Sequence, residues 1–271
     1  MKKTKKTAAT KAVKKAPKPA KAAHKAPKGT THGGHTHIPV DGRVATGVIN
    51  LDPLIEKGFV PKSINLVVGD AGSGKTIFAM QFLMEGLRRG ESCIYITFEE
   101  KKDKLYEDMA EFGWDFDKYE KTKDFSYLEY SPEQVKSLIE EGGGTVDQLI
   151  TKKKVSRLVI DSITSFSLLY QDELSRKEAG LALFELINKW GCTAVLTSQA
   201  ISRRDELITS SLEFEADSII LLYHVKQKGN RLRALEILKM RGTKHSNKTM
   251  GMNIANHGIE VRPGKPINLE Y

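Results

Sequence analysis

The segment Gly69-Asp70-Ala71-Gly72-Ser73-Gly74-Lys75-Thr76 fits the spacing G-x-x-x-x-G-K-[ST] without a mismatch. Its glycines permit a turn in which successive backbone N–H groups converge on phosphate oxygens, helped by the N-terminus of the helix that follows. Lys75 supplies a point charge to the β- and γ-phosphates, and the Thr76 hydroxyl supplies a ligand for Mg²⁺. The flanking residues agree: an apolar run, Ile64 to Gly69, leads into the turn, and residues of helical spacing, Lys75 to Arg89, lead out of it. The expected ligand is ATP with Mg²⁺.

Hydrolysis needs further groups. A carboxylate at the end of a neighbouring strand would hold the magnesium shell, and Asp161 closes the apolar run Leu158-Val159-Ile160. The competing reading makes Asp161 a helix cap, since Ser162 and a helical stretch follow. Glu99 and Glu100 come directly after the run Cys93 to Phe98. On a strand next to the phosphate-loop strand, an acid there would reach the γ-phosphate and polarise the attacking water. Adjacent positions point apart, so one of the two is the base, and the sequence does not choose. A solvated helix start is the plainer alternative for the pair. Gln199, after Thr193 to Ser198, is either a γ-phosphate sensor or an ordinary loop residue.

The elements that must position these groups follow from the apolar periodicity. Apolar runs at Ile64–Gly69, Cys93–Phe98, Phe125–Tyr130, Leu158–Asp161 and Thr193–Ser198 alternate with helical stretches, among them Lys101–Phe112 and Arg176–Trp190 closed by Gly191. That alternation predicts an α/β domain, a mainly parallel sheet with helices on both faces. The last third breaks the rhythm. Ser218–Val225 and Arg231–Arg241, then Thr249–Ala255 and Ile259–Val261, read as antiparallel hairpins added to one sheet edge, with turns at Lys228-Gly229-Asn230 and Asn256-His257-Gly258.

With these residues in view, the chain resembles the RecA-like P-loop ATPases, and within them the KaiC-like ATPase domain and its single-domain archaeal relatives. The resemblance spans about Arg43 to Val261. It rests on TGVINLDPLIEKGFVPKSINLVVGDAGSGKT, the Glu99-Glu100 pair, the Asp161 strand, ADSIILLYH and KMRGTKH, Lys239 to His245. It implies that the tandem acids are catalytic, and that Lys239 and Arg241 reach a neighbouring subunit's γ-phosphate in a ring, a hexamer, used as a nucleotide-driven regulatory or signalling switch. Two apart on a strand, the two cations would leave one face together, badly placed for their own loop and well placed for a neighbour's. A solvated basic edge strand is the plainer alternative. Cations supplied in trans accelerate phosphoryl transfer by about 10³-fold or more. The clock ATPase carries two such domains; this chain has room for one. Where its phosphorylated Ser-Thr pair would fall stand Glu213-Phe214, so autokinase activity does not transfer, and nearby Ser210 and Ser211 carry no such assignment.

Charge divides the chain. Residues 1–40 hold eleven lysines and no acid; removing them from 43 basic residues leaves 32 against 34 acidic, so the remainder is close to neutral at −2. Such a tail buries too little to order itself, and predicts a disordered extension before an ATPase domain at 41–265 and a C-terminal extension at 266–271. It would meet nucleic acid or another polyanion without sequence preference, having no aromatic to stack on bases; a solubilising role is the alternative. His24, His32, His35 and His37 lack the carboxylate or cysteine company of a metal site. Cys93 and Cys192 each fall inside an apolar run, as reduced, buried residues do. No stretch of about 18 apolar residues appears, and a cytoplasmic protein without membrane attachment is expected. An unknown regulatory protein completes the expected partners. Two further readings of the same residues stay open: a nucleotide-gated scaffold with negligible turnover, and a recombinase-like DNA-binding ATPase.

Overall fold

The structure, a computed structural model, describes residues 42–199, 201–203, 206–208, 215–227 and 229–267. The lysine-rich segment with His24, His32, His35 and His37 lies outside the described residues, as do Ser210, Ser211, Glu213, Phe214, Lys228 and residues 268–271.

Chain order explains the architecture. The run Ile64–Gly69, buried along its whole length, forms β1, and α1 (Lys75–Arg88) follows the glycine-rich turn. Then come β2 (Cys93–Thr97), α2 (Lys102–Ala110), α3 (Phe116–Lys121), β3 (Phe125–Glu129), α4 (Pro132–Glu140), α5 (Gly144–Lys153), β4 (Arg157–Asp161), α6 (Ile163–Ser167), α7 (Glu173–Trp190) and β5 (Thr193–Gln199). A small hairpin joins β6 (Ile201–Arg203) to β7 (Glu206–Ile208). Two long pairs close the domain: β8 (Ser218–Gln227) with β9 (Asn230–Met240), and β10 (Met250–Ala255) with β11 (Gly258–Pro266).

Among the described residues the main sheet runs β11-β10-β9-β8-β1-β5-β4-β2-β3. Strands β8, β1, β5, β4, β2 and β3 are mutually parallel, and β9, β10 and β11 extend one edge in antiparallel fashion. The predicted parallel sheet with C-terminal antiparallel strands is therefore what forms. Helices cover both faces: α1, α2 and α3 pack on one apolar layer, α4 to α7 on the other. α7 ends where Gly191 takes a left-handed φ of 66°, the residue expected to close it. Among the described residues, no helix is long and apolar enough to cross a membrane.

Two placements differ from the sequence reading. β2, which leads to Glu99-Glu100, is not beside β1; β5 and β4 intervene. Asp161 likewise ends a strand one removed from β1, because β5, the strand of Gln199, takes the adjacent position. Each strand in isolation is a short buried run, so strand order depends on which helix crosses which face, and that is not written locally. The last strand also runs further than Ile259–Val261, to Pro266, with the Ile267 N–H donating to the Thr249 carbonyl.

One buried charge fixes the base of α1 to the sheet. Arg157 is fully buried on β4. Its guanidinium pairs with both carboxylate oxygens of Glu91 at 2.7 and 2.9 Å and donates to the carbonyls of Ala45 and Phe82 at 2.8 Å each. It also lies over the Phe82 ring, 4.6 Å from the centroid. Removing one partner of a buried pair strands the other charge away from water. Glu91→Ala is expected to cost about 3–5 kcal/mol, read as a lower urea midpoint at constant slope; an unchanged midpoint would contradict this account.

Candidate functional site

The glycine-rich turn sits at the C-terminal end of β1, the end of a parallel sheet at which crossover loops gather. Gly69 is required by close approach: a Cβ there would lie 2.4 Å from the Leu222 carbonyl oxygen and 2.6 Å from Ser73 Oγ. Gly74, at the N-terminus of α1, has a φ of 105°, which side-chain-bearing residues rarely adopt. Between them the Lys75 ammonium folds over the loop, donating to the carbonyls of Gly69 at 2.7 Å and Asp70 at 3.0 Å. Burial pulls its pKa down, and Asp161, Asp70 and Glu99 pull the other way. The Ser73 hydroxyl is buried beneath the loop and, among the described residues, has no hydrogen-bond partner.

Thr76 and Asp161, 85 residues apart in sequence, meet here: Thr76 Oγ1 donates to Asp161 Oδ2 at 2.8 Å. Asp161 is therefore not the cap of α6. That position belongs to Ser162, while the Asp161 carboxylate also accepts from Thr197 Oγ1 at 2.5 Å and from the Tyr95 hydroxyl at 3.0 Å. The Asp161 carboxylate is nearly out of water yet satisfied by three hydroxyls. Thr97, Thr197 and Tyr95 are the residues that sequence reasoning missed. Hydroxyl side chains inside otherwise buried strands were the available signal.

Glu99 and Glu100 occupy different environments. Both backbone N–H groups donate to Thr97 Oγ1, at 3.3 and 3.1 Å, which folds the turn back over the end of β2. Glu99 is exposed, accepts from the Ser165 hydroxyl, and is the member of the pair whose charge acts on Lys75. Glu100 is less exposed; its charge bears on Tyr95 and Tyr127, and its carbonyl accepts from the Tyr127 hydroxyl. Gln199 is directly beside Gly69 in register, its side chain exposed and its N–H held by Thr164 Oγ1 at 2.8 Å.

Lys239 and Arg241 lie at the other end of the sheet. Lys239 pairs with Ile219, and Arg241, just past the end of β9, donates its N–H to the Asp217 carbonyl at 2.8 Å. β9 ends at Met240, so Arg241 stands one residue beyond it, still paired through its N–H to the segment before β8; Leu238, half exposed, is the extra residue of a bulge between the pairs Ile219–Lys239 and Ile220–Ile237, ahead of both cations. Gly69 pairs with Leu222, five residues along from Asp217. Arg241 therefore stands about 16 Å back along the strands and about 10 Å across two of them from its own loop. Asp217 anchors this corner, since its carboxylate accepts from the Ile64 N–H at 2.9 Å and lies 3.9 Å from the Arg241 guanidinium.

The C-terminal strands reach the loop by another route. Gln81 of α1 donates to the carbonyls of Gly47 and Ile259 and accepts from the Ile259 N–H at 2.7 Å, so its side-chain amide bonds β11 as a neighbouring strand would. A Cβ at Gly74 would lie 3.2 Å from Ile254 Cδ1 and 3.5 Å from Ile259 Cδ1. Arg233 of β9 donates to the Gly72 carbonyl at 3.2 Å.

The residues present fit a triphosphate with a hard divalent cation. The loop offers backbone N–H groups and an ammonium, and beside it stand oxygen donors, Thr76 and Asp161, of the kind Mg²⁺ takes.

Comparison with known proteins agrees with this geometry. The model of the KaiC ATPase family matches residues 44–266. The circadian clock protein KaiC3 of Synechocystis is 31% identical over 237 residues, 84% of this chain and 47% of that protein. A UPF0273 protein of Pyrococcus furiosus is 31% identical over 240 residues, 82% of this chain and 95% of that protein. The chain thus spans about half of the clock-protein relative and nearly all of the archaeal one. Among solved structures, a KaiC-like protein from Pyrococcus horikoshii OT3 superposes with a TM-score of 0.73 at 34% identity, covering 82% of this chain and 99% of that one.

Lys75 bonds two loop carbonyls at the surface of the domain, so its loss should spare the fold while removing the charge that meets phosphate. Lys75→Ala is expected to weaken ATP binding by about 30-fold or more with little change in thermal midpoint, as read by titration calorimetry and thermal denaturation of the same sample.

Proposed function

The chain belongs to the KaiC ATPase family of nucleotide-binding ATPases, and from that premise we propose that it hydrolyses ATP with magnesium at a site completed by a second copy of itself, the cycle serving as a regulatory switch. The observation that carries the reading is the Thr76–Asp161 hydrogen bond, which joins the two groups predicted for magnesium at the mouth of the phosphate loop.

On this reading the turn from Gly69 through Asp70, Ala71, Gly72, Ser73 and Gly74 cradles the phosphates, and Lys75 neutralises the charge that develops on the γ-phosphoryl group. Thr76 and Asp161 would hold Mg²⁺, which would supply positive charge against the phosphates. Glu99 is the general base: it is exposed to water and close enough to act on Lys75, whereas Glu100 is directed at the tyrosines. Its proton acceptor is the carboxylate oxygen, with Ser165 setting the side chain's direction.

Lys239 and Arg241 act on a neighbour's nucleotide. Their position at the far end of the sheet supports this, since neither reaches its own loop without the sheet coming apart. The assembly is a closed ring, for which six copies is the expectation from the family. Residues 1–40 add a polyanion contact outside the ATPase domain, and the switch acts on a regulatory protein not identified by its chemistry.

Glu99→Gln is expected to keep ATP binding and lower turnover by about 10²-fold or more, while Glu100→Gln has a smaller effect; equal losses in both would overturn the assignment. For the trans contact, Lys75→Ala and Arg241→Ala subunits, each inactive alone, should regain a fraction of wild-type turnover when mixed, because some interfaces then join an intact loop to an intact arginine. Mass measurement with and without ATP must show an oligomer in at least one state. A monomer in both would end the trans reading, and wild-type turnover no greater than buffer would leave a nucleotide-gated scaffold.

A further inference from the structure

Side chains alternate along β2, so Cys93, Tyr95 and Thr97 share the face that packs towards α1. Tyr95 is fully buried in the apolar layer against α1, so a phenylalanine ring would serve packing equally well. A buried hydroxyl is costly unless it finds an acceptor. Here the acceptor is Asp161 Oδ2, 3.0 Å away.

The ring cannot easily turn away. It stacks on Tyr127 with centroids 5.7 Å apart and planes at 24°, and Tyr127 is in turn held edge-on by Tyr106 at 6.1 Å and by its own bond to the Glu100 carbonyl. A carboxylate offers about four acceptor positions. Thr76 and Tyr95 take those on Oδ2 and Thr197 takes one on Oδ1. Among the described residues this leaves one acceptor position open, on Oδ1. Its direction is set by hydroxyls from three separate elements, α1, β2 and β5.

We propose that Tyr95 is a positioning residue for the metal: its hydroxyl locks the Asp161 carboxylate in the orientation that receives the hydrated cation beside Thr76. The inference rests on the reading of Asp161 as the carboxylate of the magnesium shell, and it adds a group that neither the phosphate loop nor the acidic pair contains.

The test measures ATP affinity in EDTA and across a magnesium series, so that the metal's contribution is separated from nucleotide binding and from turnover. Tyr95→Phe, which keeps the ring and its stacking, is expected to raise the magnesium concentration for half-maximal tightening by about tenfold, the scale of one hydrogen bond to a charged group. Affinity in EDTA should stay within about twofold of wild type. Asp161→Asn should abolish the magnesium effect altogether. If Asp161→Asn leaves that effect intact, the magnesium reading itself fails. If Asp161→Asn abolishes it and Tyr95→Phe matches wild type, the role of Tyr95 fails alone. Site-specific 3-fluorotyrosine at position 95 keeps the hydroxyl and guards against a folding defect in the phenylalanine variant. Its ¹⁹F resonance should move when Mg²⁺ joins bound nucleotide, and a resonance indifferent to Mg²⁺ would equally overturn the proposal.

Discussion

The 2.8 Å bond from Thr76 to Asp161 is the contact on which the rest of the molecule converges. It spans two strands that do not touch, because β5 separates β1 from β4. For it to form, α1 must lie across the sheet at one height and one rotation, with its first turn over the end of β4. Several unrelated features set that pose. Arg157 ties the middle of α1 to β4 through the Phe82 carbonyl, and the neighbouring Gln81 ties it to β11. Gly69 brings the backbone of β1 up against β8 where no side chain would fit. A shift of α1 by one ångström would be absorbed elsewhere in a loosely packed protein. Here it would break a hydrogen bond to a buried carboxylate, and the dense interior beneath leaves little room to compensate.

The same sheet separates the charges by function. Its C-terminal end collects Lys75, Asp161 and Glu99 around the phosphate loop, while Asp217, Lys239 and Arg241 gather towards the opposite end. A parallel sheet enforces such a division, since every crossover returns the chain to the same starting end. The ion pair of Arg241 with Asp217 is exposed and contributes little to stability. Its value is to orient the corner, because Asp217 also closes the backbone pairing between β1 and the segment leading into β8. On the proposed ring reading, a nucleotide held by one copy would meet this corner of the next, and nucleotide state would be felt at both ends of each sheet.

Much of this was legible in the residues. The phosphate loop is a local pattern whose chemistry follows from its own spacing. The strands are short apolar runs bounded by polar turns, and the antiparallel edge is announced by two turn sequences. Asp161 stood out as a carboxylate ending a buried run, and its bond to Thr76, with Ser162 at the cap position, removes the helix-cap alternative. The failures share one cause. The strands that end at Glu99-Glu100 and at Asp161 were expected next to β1, but adjacency depends on pairing between distant segments, and β5 takes the position between β1 and β4. The extra residue at Leu238 is visible only once β8 fixes the register opposite it.

The sequence by itself determined that this chain folds as an α/β ATPase domain with a phosphate loop at Gly69–Thr76, because glycine conformations, the lysine and the hydroxyl act within eight consecutive residues. Only the tertiary structure decided that Tyr95 and Thr197 bond the Asp161 carboxylate, that Thr97 holds the turn of Glu99-Glu100, and how far along the sheet Lys239 and Arg241 stand from the phosphate loop. The physical reason is range. A turn is fixed by the φ and ψ of neighbouring residues, whereas the direction of a carboxylate is fixed by hydroxyls arriving from strands tens of residues away.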